Sequence, residues 1–144
     1  MSTCAIVIIA FPSTVAASIA VDPSQQHLIH SNRGVALEKL GHTSKAVEAY
    51  DEALNCLESH VESWHNRAVA LQKLGKTDEA LTSFEGALYY DSSFAPSLRG
   101  RFNALIELRR FDDAVVAANA AIAAQPGNPE PVVDRAFAHM QAGR

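Results

Sequence analysis

Apolar and polar residues follow a pattern along this chain that repeats every 34 residues. In the stretch from Val61 to Phe94, two amphipathic runs flank a short polar turn, Gly75 to Asp78. Within each run the apolar residues recur at the spacing of one helical face, which predicts a helix on either side of the turn. The same arrangement recurs one period earlier and one period later. A self-similar period of this length predicts an array of stacked helix-turn-helix repeats.

Columns of equivalent small and apolar residues set the register of the repeats. Four columns keep the 34-residue step: Ala46, Ala80 and Ala114; Ala53, Ala87 and Ala121; Leu37, Leu71 and Leu105; and Leu54, Leu88 and Ile122. Together with the Trp…Leu-Gly…Ala…Phe…Ala pattern of the middle copy, they give a sequence that resembles the tetratricopeptide repeat family. The resemblance covers Leu28 to Arg144. It implies an all-α fold, a right-handed α-solenoid of helix-turn-helix repeats.

The period divides the chain into five parts. They are an apolar N-terminal segment with a degenerate half repeat (1–26), three full repeats (27–60, 61–94 and 95–128) and the first helix of a truncated fourth repeat (129–144). We expect Thr43 or Ser44 to cap the second helix of the first repeat. The sequence stops at Arg144, where another second helix should begin. The apolar face of the last helix is therefore expected to be covered by further sequence or by a second chain.

Residues 1–21 carry no charged side chain and include a continuous apolar run from Ala5 to Phe11. One interpretation is a secretory signal with a cleavage site at Ser18-Ile19-Ala20, although no Lys or Arg precedes the apolar run. A second is a membrane helix, which requires about 20 mostly apolar residues and is interrupted here from Pro12 onward. The third is that residues 12–21 are the second helix of a degenerate repeat, with Pro12 in its first turn.

The space between neighbouring repeats is expected to receive one aromatic side chain from each second helix. Tyr50 and Phe84 occupy this position in the first two repeats, and Ala118 occupies it in the third. The contact after the third repeat is therefore predicted to be looser, because a methyl group fills much less space than an aromatic ring. Phe102 replaces a residue that is small in the other copies, and we expect it to fill the space that Ala118 leaves.

An arginine column follows the same period: Arg33, Arg67, Arg101 and Arg135. One interpretation is a basic ladder for an acidic ligand. The other pairs each arginine with an acid on the preceding second helix, so that Arg67 binds Asp51. Arg101 would bind Glu85 in the same way. The second interpretation is favoured, since these positions adjoin the small-residue column and a partly buried arginine needs a partner.

Composition and charge limit the kinds of function that we expect of this chain. Hydrophobic residues make up 48% of the chain and charged residues 19%, which is typical of a globular domain. A net charge of −4 gives no polyanion-binding signature, so nucleic acid is not an expected partner. Cys4 and Cys56 form no CxxC pair, and we expect Cys56 to be a reduced, packed thiol in a cytoplasmic protein. The alternative is an exported protein, or one anchored to a membrane through residues 1–21.

The sequence contains no catalytic or metal-binding motif of the common kinds. HExxH, Walker, GxGxxG, GxSxG and paired CxxC patterns are all absent. The six histidines are scattered and do not supply three or four convergent ligands. We therefore expect no enzyme activity, no bound metal and no cofactor.

Binding is instead expected on the concave face, which the first helix of each repeat lines in tetratricopeptide arrays. Asn32 and Asn66 occupy equivalent places on two successive first helices, where the family uses asparagine to hydrogen-bond the backbone of an extended peptide. Gly100 and Asp134 take this place in the later repeats, so the asparagine ladder has two rungs. The other expected groove residues are Ser31, Val35, Glu62, His65, Val69, Lys73, Arg99, Asn103 and Ile106. The apolar members favour a partly apolar peptide.

The run from Leu28 to Gly34 resembles the middle repeat of co-chaperones that bind the carboxylate tail of heat-shock chaperones. That clamp takes a Lys and an Arg from the following first helix, where this chain carries Glu62 and Asn66. One of the five clamp residues matches, and the acid at Glu62 would repel a carboxylate tail.

These features predict a non-catalytic scaffold or adaptor that holds a protein segment, extended or helical, in the groove of the array. A co-chaperone-like protein is one alternative, and the substrate-recruiting array of a longer enzyme is another. A membrane is an expected partner only if residues 1–21 form a signal or an anchor. Self-association through the uncapped last helix is a further option.

Overall fold

The computed structural model describes residues 22–144, so the alternatives for residues 1–21 lie outside its description. The described residues form seven α-helices after a short 3₁₀ turn at Pro23–Gln25. The helices are α1 (Gln26–Lys39), α2 (Thr43–Cys56), α3 (Val61–Lys73), α4 (Thr77–Tyr90), α5 (Ala95–Glu107), α6 (Phe111–Ala124) and α7 (Glu130–Gln141). No strand occurs between residues 22 and 144.

Consecutive helices pack against each other in pairs, and the pairs stack. α1 packs on α2, α3 on α4 and α5 on α6, while α2, α4 and α6 each pack on the helix that follows. Contacts of α3 with α1 and with α5 align the first helices along one face. Each pair thus covers the apolar face of its neighbour, and the predicted all-α solenoid is confirmed.

A residue in the left-handed conformation closes the turn within each pair. Gly41 and Gly75 have φ angles of 79° and 74°, and Arg109 takes the same place in the third pair with a φ of 58°. In the first turn the amide of His42 donates to the carbonyl of Leu37 at 2.8 Å, which completes a Schellman motif. Glycine adopts this conformation freely and arginine does not, so the third turn is locally strained.

The expected side-chain cap of α2 is wrong. The helix begins at Thr43 itself, His42 is the residue before it, and no side chain caps its first amides. The backbone bonds of the preceding turn lead the chain directly into the helix. The hydroxyls of Thr43 and Ser44 therefore lie one and two positions too late to act as a cap.

Small side chains and two aromatic rings form the centre of the core. Five alanines of the two small-residue columns have no exposed surface: Ala46, Ala80, Ala114, Ala53 and Ala87. Their methyl groups let neighbouring helices approach closely. The rings of Tyr50 and Phe84 are at most 1% exposed, so both belong to the core.

Each of these rings lies against a glycine. A Cβ added to Gly34 would lie 2.5 Å from the ring of Tyr50, on the first helix of the same pair. A Cβ added to Gly100 would overlap the ring of Phe84, on the first helix of the following pair. Both rings fit only because the residue opposite has no side chain. The two rings therefore lie toward different first helices.

The contact after the third pair has Ala118 where the first two pairs carry an aromatic ring, and a cavity borders it; whether this contact is looser than the others stays a prediction. Phe102 is 5% exposed and belongs to the same core cluster as Ala118, so it fills part of the available space. A cavity of about 240 Å³ nevertheless remains, and both residues line it. The expected compensation by Phe102 is thus partial.

The arginine column makes structural contacts across the helix pairs. Arg67 Nε lies 2.6 Å from Asp51 Oδ1, which confirms the predicted ion pair. A second nitrogen of Arg67 donates to Ser83 Oγ at 2.5 Å. Arg33 pairs with Glu52 of the following helix at 2.8 Å.

The later arginines follow this pattern less completely. Arg101 is attracted by the charge of Glu85, but its Nε is buried without a hydrogen-bond partner among the described residues. Burial lowers the pKa of the Arg101 guanidinium, and Glu85 opposes that shift. Arg135 donates at 3.1 Å to the side-chain oxygen of Asn119, which stands one period after Glu85. The column therefore ties helices together, and these contacts favour the structural interpretation over a ligand ladder.

Cys56, at the end of α2, is disulfide-bonded, so the expectation of a reduced, packed thiol is wrong. The inference of a reducing compartment from this residue is lost with it. Among the helices of residues 22–144, none combines the length and the apolar character that a membrane span requires.

Candidate functional site

The expected groove residues lie on α1, α3 and α5, the three first helices that touch along one face. Asn32 on α1 is exposed, and Asn66 on α3 is half-buried one period later. Neither side chain makes a hydrogen bond within residues 22–144. Each amide therefore keeps its donors and its acceptor available for the backbone of a bound chain.

Apolar side chains flank the two asparagines. Val35, Val69 and Ile106 are half-buried and pack at the edge of the core clusters, so each leaves part of its surface to solvent. Asn103 is exposed on α5 at the place that Val35 and Val69 hold on the earlier helices. The face consequently mixes amide groups with apolar edges.

Two expected groove residues lie inside the array. Ser31 is only 6% exposed, which keeps it from direct contact with a peptide on this face. The His65 ring centroid lies 5.6 Å from the ring centroids of Phe84 and Phe94. Its Nδ1 is 3.0 Å from Ser97 Oγ. Burial lowers the pKa of His65, so the ring is neutral near pH 7 and packs α3 against α5.

The charged groove residues of α3, Lys73 and Glu62, each contact a polar side chain of the same chain. Lys73 Nζ lies 2.9 Å from Glu38 Oε1, and the other oxygen of that carboxylate accepts a hydrogen bond from the Tyr50 hydroxyl at 2.8 Å. Burial, together with this bond, raises the pKa of Tyr50, so the hydroxyl stays a donor. Glu62 Oε2 lies 3.3 Å from His60 Nε2. The lysine therefore offers little unbalanced charge to a ligand.

His27 on α1 and His60, which directly precedes α3, also pack within the chain. The rings of His27 and His60 meet edge to face with their centroids 4.9 Å apart. His60 Nδ1 lies 2.7 Å from Ser63 Oγ, and burial lowers the pKa of His60 against the opposing charge of Glu62. Across residues 22–144, no group of three or more His, Cys, Asp or Glu side chains is placed to hold a metal ion.

Arg99 stands at the rim of the 240 Å³ cavity, which lies between α5, α6 and α7. Its Nη1 is 2.5 Å from Glu130 Oε2, and both side chains are more than half exposed. Sequence reasoning treated Arg99 as a groove residue and Ala118 as a loose contact, but it missed that both border one cavity. The available signal was the alanine in an otherwise aromatic column.

Known families contain repeats that match those of this chain. Two tetratricopeptide repeat family models match the chain, one over residues 27–60 and the other over residues 49–82. Residues 27–82 therefore carry tetratricopeptide repeats. A comparison with curated protein sequences gave no match.

Solved structures share the fold of this tetratricopeptide array. The first such domain of Spaghetti (RPAP3), bound to the HSP90 peptide SRMEEVD, has a TM-score of 0.75 and 21% identity, covering 88% of this chain and 100% of that chain. The second domain of human RPAP3, in complex with the HSP70 peptide SGPTIEEVD, has a TM-score of 0.73 and 24% identity over 82% and 98% of the two chains. The TPR2B domain of yeast Sti1, in its complex with pHsp70, has a TM-score of 0.69 and 22% identity over 83% and 98%.

Proposed function

We propose that this tetratricopeptide array is a non-catalytic scaffold that binds a protein segment along the face of its first helices. The observation that carries the proposal is the pair Asn32 and Asn66, whose amides lie one period apart with no hydrogen bond inside the chain. Two amides on successive first helices, α1 and α3, can each hydrogen-bond the backbone of an extended peptide. The peptide complexes of structurally similar domains support this reading.

The chemistry of the face favours a peptide that is partly apolar and weakly charged. Val35 and Val69 follow the two asparagines by three residues on α1 and α3, Ile106 lies on α5, and all three are half-buried. Lys73 is neutralised by Glu38, which leaves no concentrated positive charge on α3 for an acidic segment. Affinity on such a face comes from backbone hydrogen bonds and a few buried apolar side chains.

A co-chaperone-like function is the second candidate, because the peptides in two of the similar structures end in Glu-Glu-Val-Asp. The family's carboxylate clamp would take cations from the places of Glu62 and Asn66, and this chain has none there. A carboxylate tail would meet the charge of Glu62 instead, which opposes binding. We therefore place this function behind that of a general peptide scaffold.

The double variant Asn32→Ala/Asn66→Ala tests the scaffold. Partners retained from a lysate by the wild-type chain are identified and synthesised as peptides, and their affinities are measured by titration calorimetry. Loss of two backbone-binding amides should weaken binding by about 10- to 100-fold. Asn55→Ala, at an exposed position on α2, is the matched control and should bind like the wild type. Equal affinity of the double variant and the control would contradict the proposal.

The co-chaperone candidate has its own test. The peptide SRMEEVD is titrated into the wild-type chain and into Glu62→Lys/Asn66→Arg, which supplies the two cations of the clamp. We expect weak binding to the wild type and tighter binding to the variant, since a carboxylate tail then meets positive charge. Micromolar binding to the wild type would move the co-chaperone function to first place.

A further inference from the structure

The cavity between α5, α6 and α7 corresponds to a space that an aromatic ring fills elsewhere in the same chain. One period earlier, the ring of Phe84 lies over Gly100 and packs against His65. The residues one period after Phe84 and Gly100 are Ala118 and Asp134, and both line the cavity. The cavity is therefore the volume left where the ring is missing.

Residues of this chain fill the space only in part. Phe102 approaches from α5 and is buried, yet about 240 Å³ remains beside it. A cavity of about 150 Å³ with apolar walls is large enough to hold benzene. Leu98, Phe102 and Ala118 supply apolar walls on α5 and α6, which is the lining that an aromatic ring requires.

The rim is open to solvent and carries acidic groups. Arg99 is turned toward Glu130, to which it is bound at 2.5 Å. Asp134 lines the cavity without a hydrogen bond within the described residues, and burial raises the pKa of its carboxyl. Two carboxylates around one guanidinium leave the rim with a surplus of acceptors, so a guest that carries a donor is favoured. Asp134 also continues the Asn32 and Asn66 column, which places the cavity at the end of the proposed groove.

We propose that this cavity is an anchor site for one aromatic side chain of the bound peptide, with tyrosine preferred. The side chain supplies from the partner the ring that Phe84 supplies within the chain, and its hydroxyl donates to Asp134. Single aromatic anchors in desolvated pockets commonly carry much of the affinity of a peptide interface. The inference rests on the proposed peptide-binding function and adds the position and kind of its anchor.

Binding of small aromatic probes tests the cavity without a peptide. Toluene and p-cresol, the side chains of phenylalanine and tyrosine, are titrated into the full chain while the methyl signals of Leu98 and Ala121 are followed by NMR. We expect saturable shifts at millimolar concentrations, with p-cresol bound more tightly than toluene. Ala118→Phe should weaken probe binding at least about tenfold. Unchanged binding by that variant would overturn the site.

Further variants control for the added ring, for misfolding and for the partner of the hydroxyl group. Ala120→Phe adds the same ring at an exposed position of α6 and should bind the probes like the wild type. Ala118→Leu fills less volume and replaces Ala118→Phe if the latter does not fold. Asp134→Ala should remove the preference for p-cresol and leave toluene binding in place. A preference that survives Asp134→Ala would overturn the assignment of the hydroxyl partner.

A peptide library separates this inference from the proposed function. Wild type, Ala118→Phe and Asn32→Ala/Asn66→Ala are used in parallel selections. Aromatic residues enriched at one position by the wild type, and not by Ala118→Phe, would support the anchor. The same consensus from both would overturn the anchor and leave the scaffold standing. No enrichment by the wild type would overturn both.

Sedimentation tests whether a second copy of the chain occupies the cavity. If the wild type dimerises and Ala118→Phe does not, the cavity is assigned to a second copy and the peptide anchor is overturned.

Discussion

The junction between α3 and α5 is filled, whereas the junction between α5 and α7 contains a cavity, although equivalent repeat positions build both. In the filled junction the rings of His65, Phe84 and Phe94 pack together over Gly100. The residues one period later are Arg99, Ala118, Asn128 and Asp134. Three aromatic rings and a glycine have thus been exchanged for polar or small residues.

This difference shows that the residue at one position of α4 and of α6 decides how the junction that follows each helix is closed. A ring at that position requires empty space on the helix opposite, which Gly100 provides for Phe84. Without the ring, the opposite helix accepts a larger residue such as Asp134, and a cavity opens beside it. The solenoid tolerates both solutions because each junction buries surface only against its own neighbours.

The largest expected effect follows from removing the ring of the filled junction. Phe84→Ala should lower the free energy of unfolding by about 3–5 kcal/mol, because it deletes a ring that is 1% exposed and leaves a cavity behind. Urea denaturation followed by circular dichroism measures this loss. Tyr89→Ala is the control, since that ring is 81% exposed. A loss below about 1 kcal/mol for Phe84→Ala would show that the ring does not hold the junction.

A smaller effect is expected from adding one methyl group opposite that ring. Gly100→Ala should lower the free energy of unfolding by about 1 kcal/mol net, because overpacking of about 1–3 kcal/mol exceeds the gain in helix propensity of about 1 kcal/mol. Denaturant titration measures the difference. The added Cβ meets the Phe84 ring, whereas a Cβ at Gly127 meets no atom within 4 Å. Gly127→Ala should therefore be close to neutral, and equal effects of the two changes would contradict the close contact.

Changes to the partners of the arginine column should alter the free energy of unfolding by a similar or smaller amount. Asp51→Asn removes the partner of Arg67, whose side chain is 22% exposed, and should cost about 1 kcal/mol. Asn119→Asp supplies the missing acid to Arg135 at the last junction and should add a few tenths of a kcal/mol, up to about 1 kcal/mol. Thermal melts of both variants at low and high salt measure these changes. No loss with Asp51→Asn would mean that Arg67 is available to a ligand.

The smallest expected effect is a pH dependence located in the filled junction. Burial lowers the pKa of His65 below its ordinary value of 6.5, so the unfolded chain binds a proton more readily than the folded chain. The stability contributed by the neutral ring is present above that ordinary value and is lost as the pH falls below it. His65→Gln should therefore reduce the slope of stability against pH between 7.5 and 5. His60, whose pKa is also lowered, accounts for part of the remaining slope. An unchanged slope in His65→Gln would place the titration elsewhere.

Much of the fold could be predicted because its determinants lie within single helices and turns. The period of 34 residues, the buried alanine columns and the left-handed glycines Gly41 and Gly75 are visible in the sequence. Tyr50, Phe84 and Ala118 also follow from the repeat register, because the same position is compared between copies. The candidate groove could be placed on α1, α3 and α5 for the same reason.

The burial and the side-chain partners of the individual groove residues could not be predicted in this way. Ser31 proved to be buried, His65 is committed to the rings of Phe84 and Phe94, and Lys73 is paired with Glu38 across 35 residues of sequence. Each outcome depends on which side chains a neighbouring repeat brings within about 4 Å, and a repeat pattern is silent on such pairings.

The sequence by itself therefore determined that this chain is a stack of helical pairs, where each helix lies and which positions hold its rings. Only the tertiary structure decided that Phe84 lies toward Gly100, that Phe102 fills part of the following space, and that a cavity remains there. The reason is physical. Helical periodicity is a property of one segment of chain, whereas the volume left between three helices depends on the side chains of all three at once.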